Sequence, residues 1–177
     1  MRHTLVAWVE DRPGVLARVA GMFRRRAFNI TSLTVGHSER PGLSRMTIVV
    51  ETERLEADLV EANLRKLIDV VDVHDITGRP AVRREFAFIK VRADGASRIE
   101  IAQLAEIFRA KIVDVGLDSV IVEVSGDEEK IDRLIEVLRP KGVLEVVRTG
   151  CVAMVRGSET TQDTEETATS DAENAAA

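Results

Sequence analysis

Apolar positions along the chain fall into two spacings, the twofold repeat of a half-buried strand and the i, i+3, i+4 repeat of an amphipathic helix. Thr4 to Glu10 reads as a short apolar strand, and Val15, Leu16, Val19, Met22 and Phe23 then recur at helical spacing. A helix with one core face is expected there. Phe28 to Gly36 forms the next strand, and Arg40-Pro41-Gly42 interrupts the chain before a third, Ser44 to Glu51, rich in β-branched residues. These two strands are expected to pair as a hairpin with a long loop. Leu59, Val60, Leu64, Leu67 and Ile68 mark a second amphipathic helix, Val70 to Thr77 a fourth strand, and Gly78-Arg79-Pro80 a break.

The second half repeats this order. Glu85 to Arg92 is a strand, Ile101, Leu104, Ala105 and Phe108 define a helix face, and Lys111 to Val115 and Ser119 to Val124 are strands around Gly116-Leu117-Asp118. Ile131, Leu134, Ile135 and Leu138 make a further helix, ended by Pro140 and Gly142, before Val143 to Arg148 and a short apolar segment through Val155. The fold class is therefore α+β, with two ferredoxin-like βαββαβ units, each placing two helices on one face of an antiparallel sheet. The other face of each sheet needs a partner. Expected divisions are residues 1–78, 79–157 and a tail, 158–177, whose Thr, Ser, Ala and acidic residues have almost nothing to bury and should be disordered. Units of this size bury a limited share of their surface, so a homodimer is expected.

Composition narrows the function. With five Phe, one Trp and no Tyr, the chain lacks stacking platforms for single strands, and nucleic acid is not an expected partner. The net charge of −5 is misleading, because six acidic residues lie after Gly157 and the remaining 24 acids face 25 bases. The run Arg24-Arg25-Arg26 sits where a helix should end, which suits contact with its terminal carbonyls. The single cysteine, Cys151, cannot form an intramolecular disulfide and reads as a small core residue. No stretch approaches the ~20 apolar residues of a membrane span, so a soluble, cytoplasmic protein is expected. His3, His37 and His74 lack metal-ligand spacing, and no nucleophile elbow, phosphate-binding loop or other catalytic constellation is present.

One short segment carries candidate chemistry. In Asp11-Arg12-Pro13-Gly14-Val15-Leu16, Pro13 suits the first turn of a helix and Gly14 removes a Cβ that would block close approach. Bare N–H groups at the positive end of the helix dipole suit a carboxylate, and Asp11 could face an ammonium, so the turn reads as a socket for a zwitterion. It reads equally well as a plain connector. The side-chain amide of Asn29 could donate to a carboxylate and accept from an ammonium. Leu16, Ile30 and Val35 could line an aliphatic pocket or simply pack in the core.

The turn and its βαββαβ setting resemble an ACT domain, the amino-acid-sensing module of many biosynthetic enzymes. Longer strings narrow the resemblance: Phe28-Asn29-Ile30-Thr31-Ser32-Leu33-Thr34-Val35-Gly36, Leu43-Ser44-Arg45-Met46-Thr47-Ile48, and Glu106-Ile107-Phe108-Arg109-Ala110-Lys111-Ile112-Val113-Asp114-Val115. Together, over about residues 1–157, they are similar to the small subunit of acetolactate synthase (acetohydroxyacid synthase), of branched-chain amino acid biosynthesis. That resemblance implies a non-catalytic regulatory chain. It would activate a large catalytic subunit that carries thiamine diphosphate, Mg²⁺ and FAD, and would confer allosteric feedback inhibition by valine, or by leucine or isoleucine. It also implies an effector site between two paired ACT domains, with Asp11, Gly14, Val15 and Leu16 from one subunit and Asn29, Ile30 and Val35 from its mate. Arg12 stands at a variable position and receives no role. Two other readings stay open, an ACT sensor serving a different enzyme and a small acylphosphatase-like hydrolase.

Overall fold

The computed structural model describes residues 1–161, which divide into two compact units, Met1–Val82 with the chain from Ala153 onward, and Arg83–Val152. In the first unit the chain runs β1 (Arg2–Glu10), α1 (Val15–Arg25), β2 (Ile30–His37), β3 (Leu43–Glu51), α2 (Arg54–Arg65) and β4 (Val70–Asp75). The strands form an antiparallel sheet in the order β2-β3-β1-β4. This is the expected βαββαβ arrangement. β1 lies between two partners, and its alternation sends Leu5, Ala7 and Val9 toward the helices, where they meet Val19, Phe23, Val60 and Leu64 in one core.

The opposite face of this sheet is covered by the same chain. A ninth strand, β9 (Val152–Val155), brings Ala153 and Val155 against Val6, Trp8 and Ile76, a second apolar cluster. Arg45 secures it, lying 5.5 Å over the Trp8 ring while its Nη2 donates to the Ala153 carbonyl at 2.6 Å. Residues 153–157, which the sequence pattern groups with the second unit, thus pack on the first. Arg79 then holds the start of the expected tail, donating to Glu159 Oε2 at 2.9 Å and to the carbonyls of Thr160 and Thr161 at 3.3 Å. The rest of the tail expected to be disordered, 162–177, lies outside the described residues.

The second unit repeats the order with β5 (Ala81–Arg92), α3 (Gly95–Ile107), β6 (Lys111–Val115), β7 (Ser119–Gly126), α4 (Glu128–Leu138) and β8 (Val143–Arg148). Its sheet order is β6-β7-β5-β8, and Ile89, Val91, Ile101, Val122, Leu134 and Leu138 form its core. Both helices start on side-chain caps. Asp94 and Ser97 exchange hydrogen bonds in a capping box on α3, and Asp127 accepts from the Lys130 N–H on α4. The Ser97 contacts hold the Asp94 carboxyl below the usual carboxylate range. Gly142 takes a left-handed φ of 91° and turns the chain into β8. Cys151, expected in the core, is only half-buried, because the chain around it is leaving one unit for the other.

Trp8→Ala removes the centre of the cluster under β9 and should cost about 3–5 kcal/mol, as large-to-small changes at buried aromatics do. Urea unfolding followed by circular dichroism measures it.

Candidate functional site

The turn after β1 differs from its sequence reading in one respect. α1 begins at Val15, so Pro13 precedes the helix, and Gly14 is the N-cap in a left-handed conformation with φ 89°. Only glycine adopts that conformation without strain, which is why the turn needs it. The cap has no side-chain acceptor, and α1 has no acidic residue in its first turn. Among the four helices, α1 therefore contrasts with α3 and α4, whose capping carboxylates already occupy the positive ends of their dipoles.

What holds the uncapped turn in place is a buried carboxylate. Asp69, 1% exposed, sits at the start of β4 and receives Arg12 and Arg18 together. Arg12 Nε donates to Oδ1 at 3.0 Å and Arg18 Nη2 to the same oxygen at 2.9 Å, with further contacts from Arg12 Nη2 and Arg18 Nε. The backbone joins in, since the Glu10 N–H donates to the Asp69 carbonyl at 2.9 Å. Arg18 and then Arg12 hold the Asp69 carboxyl well below the usual carboxylate range. Arg12, without a role in the sequence reading, is thus one arm of a clamp. Sequence reasoning missed the other two members. Their signals were an acid inside the apolar run Leu67–Val71 and an arginine one helical turn beyond Gly14.

The remaining candidates fall at two places. Asp11 bonds His37 at 3.1 Å, and its N–H donates to the Gly42 carbonyl at 2.9 Å, so the turn adjoins the C-terminal end of the edge strand β2. Leu16, in the first turn of α1, is 48% exposed, and Val35 is 43% exposed. Val35 pairs with the core residue Met46 and so stands on the helix-bearing face. Val15 is buried in the core, and its N–H donates to the Arg12 carbonyl at 3.5 Å. Ile30 packs at the core margin, and Asn29 is exposed just before β2. The length of β2 separates Asn29 from His37, roughly 25 Å at ~3.3 Å per residue. One chain therefore gathers Asp11, Gly14 and Leu16, but does not bring Asn29 to them.

The other two histidines each pair with an aspartate. His3 and His74 are buried on β1 and β4, and bond Asp75 at 3.0 Å and Asp72 at 2.7 Å. Arg26 extends past the end of α1 to bond the Asn63 side chain at 3.0 Å.

Comparison with known proteins bears on both units. Residues 5–72 match the family described as AHAS small subunit-like ACT domain, and residues 84–157 match small subunit of acetolactate synthase. A probable acetolactate synthase small subunit from Archaeoglobus fulgidus is 54% identical over 158 residues, 89% of this chain and 99% of that protein. The acetolactate synthase small subunit of Bacillus subtilis is 44% identical over 160 residues, 90% of this chain and 93% of that protein. Among solved structures, the acetolactate synthase small subunit from Thermotoga maritima superposes with a TM-score of 0.84 at 42% identity, covering 90% of this chain and 99% of that one.

The Asp69 clamp predicts a pH dependence of stability. Because the folded-state carboxyl is held below its unfolded value of ~3.9, its contribution is complete above that pH and is lost as the pH falls toward the folded value. Asp69→Asn should be less stable than the parent chain at pH 7, and the gap should close on acidification below about pH 4. Urea unfolding of both chains across that range checks it.

Proposed function

The chain belongs to the acetolactate synthase small-subunit family, and from that membership we propose that it is a regulatory subunit that binds and activates a large catalytic subunit and makes it sensitive to valine. In this reading thiamine diphosphate, Mg²⁺ and FAD reside on the large subunit, and this chain supplies the effector site and no catalytic group. Two copies pair through their ACT domains, the first units, and valine or a close relative lies between them.

One observation carries the proposal: the uncapped N-terminus of α1, offered behind Gly14 on a turn that Asp69 holds still. Free helical N–H groups at a positive dipole end favour a carboxylate, and the buried acid beside the turn, Asp69, is already committed to Arg12 and Arg18. In this reading Asp11, which bonds His37, accepts from the ammonium, and Leu16, with Val35 of the mate, offers exposed aliphatic surface. The distance of Asn29 from the turn within one chain supports a site completed by a second copy. Asn29 and Ile30 of the mate then meet the turn, and binding couples to how the dimer holds its catalytic partner. Leucine and isoleucine differ from valine by a methylene, worth only ~1–3 kcal/mol in such a pocket.

Mixing the chain with the cognate large subunit should raise acetolactate production and make it inhibitable by valine. No activation would defeat the proposal, and activation without valine sensitivity would move the effector role elsewhere. Gly14→Asp places a carboxylate at the anion socket in a strained backbone, with its Cβ 3.3 Å from Arg18 Nη1. It should abolish valine inhibition while activation largely persists. Asn29→Ala, at an exposed position, should weaken valine at least about tenfold, or ~1.4 kcal/mol, with an unchanged melting temperature.

A further inference from the structure

Asp11 is the acceptor for an ammonium in the proposed effector site, yet its carboxylate already has an imidazole beside it. Nδ1 of His37 lies 3.1 Å from Asp11 Oδ2, and among the described residues this is the only ion pair or hydrogen bond that either side chain makes. The backbone brings the two together. The Asp11 N–H donates to the Gly42 carbonyl at 2.9 Å and the Ser38 N–H to the Leu43 carbonyl at 3.0 Å, so the turn after β1 and the end of β2 are both tied to the start of β3. Val35 lies opposite Met46 and His37 opposite Ser44, two positions along the same pair of strands, so the imidazole shares the helix-bearing face with Val35.

The contact is readily exchanged, because the His37 side chain is 87% exposed and an ion pair in water is weak. The neighbouring charges are committed elsewhere. Arg12 pairs with Glu10 and Asp69, Arg18 with Asp69, and Arg40 contacts Glu39 at 3.8 Å, while β3 sets the uncharged Ser44 opposite His37. Asp69, held well below the usual carboxylate range by Arg18 and then Arg12, keeps its charge near neutral pH. An imidazole, by contrast, is the side chain whose charge changes between about pH 5 and 8, a range in which a free amino acid remains a zwitterion.

We infer that His37 is a built-in competitor for the effector's ammonium: it occupies the Asp11 carboxylate, gives it up when an amino acid binds, and competes harder as the pH falls. The inference rests on the proposed effector site and adds to it a residue that sets affinity. Displacing a neutral imidazole from Asp11 breaks one weak hydrogen bond, whereas displacing an imidazolium breaks an ion pair to the group that the ligand needs. Valine therefore binds more weakly on the acidic side of the range. Acidification relaxes feedback inhibition through this one contact, with no change of fold.

Calorimetry of the full-length chain with valine, at about pH 5.5 and about pH 7.5, tests it on either side of the imidazole's range. His37→Gln keeps a polar side chain at this exposed position and has no charge to gain, and His37→Lys carries a permanent one. The wild type should bind valine about threefold more tightly at the higher pH, a change of the size that an exposed pair supports. His37→Gln should hold the tighter affinity at both values, and His37→Lys the weaker. A pH dependence in His37→Gln equal to that of the wild type overturns the inference, as does binding by His37→Lys as tight as that by His37→Gln. Valine bound by none of the three chains at either pH overturns the effector reading itself, a result distinct from valine bound with no effect of residue 37.

Discussion

The buried carboxylate of Asp69 is the contact on which the first unit's chemistry depends. Two arginines from different sides of one turn converge on it, Arg12 before Gly14 and Arg18 after it, while the Asp69 backbone accepts from Glu10. The turn is thus pinned at both ends to the start of β4. A buried acid with one partner would be a liability, but two guanidinium groups satisfy it and lower its proton affinity. The effect on the helix is indirect. Gly14 can hold a left-handed conformation and leave the end of α1 without a side-chain cap, because the turn does not rely on that cap for its position.

Beside α3 and α4 the start of α1 is chemically open; α2 also lacks a side-chain cap but carries Glu56 in its first turn. Asp94 and Asp127 close α3 and α4 with their own carboxylates, which stabilises those helices and uses up their anion-binding capacity. α1 forgoes that stabilisation. A ligand carboxylate can supply it instead, so binding and helix stability are linked, and the linked helix belongs to the unit proposed to form half of the effector site. The second unit offers no such link, because its helix starts are closed.

Much of the architecture was legible from local pattern alone. Strand and helix spacing placed the elements of both units, and Gly14 was identifiable because a glycine between a strand and an apolar helix face has few other uses. Long-range relations were not legible. Nothing local tells Ala153 and Val155 that they will cover Trp8, because a short apolar strand is equally at home on either unit. Asp69 and Arg18 are 51 positions apart, and each looks like an ordinary surface charge until the fold brings them together. The family resemblance makes Val15 a site residue, but the helix phase carries its side chain into the core. The resemblance assigns Asn29 to the mate's half of the site, and within one chain β2 sets it at the far end of the sheet. That separation is a property of the folded chain, and it makes a second copy necessary to the proposed site.

The account stands or falls on the uncapped end of α1 as the receptor for a carboxylate. Titration calorimetry of the full chain with valine and with valinamide tests this directly, since the two ligands share the isopropyl group and the ammonium and differ in the carboxylate. The account predicts saturable binding of valine and at least about tenfold weaker binding of valinamide, equivalent to ~1.4 kcal/mol. Equal affinity for both, or no heat with valine, would contradict it.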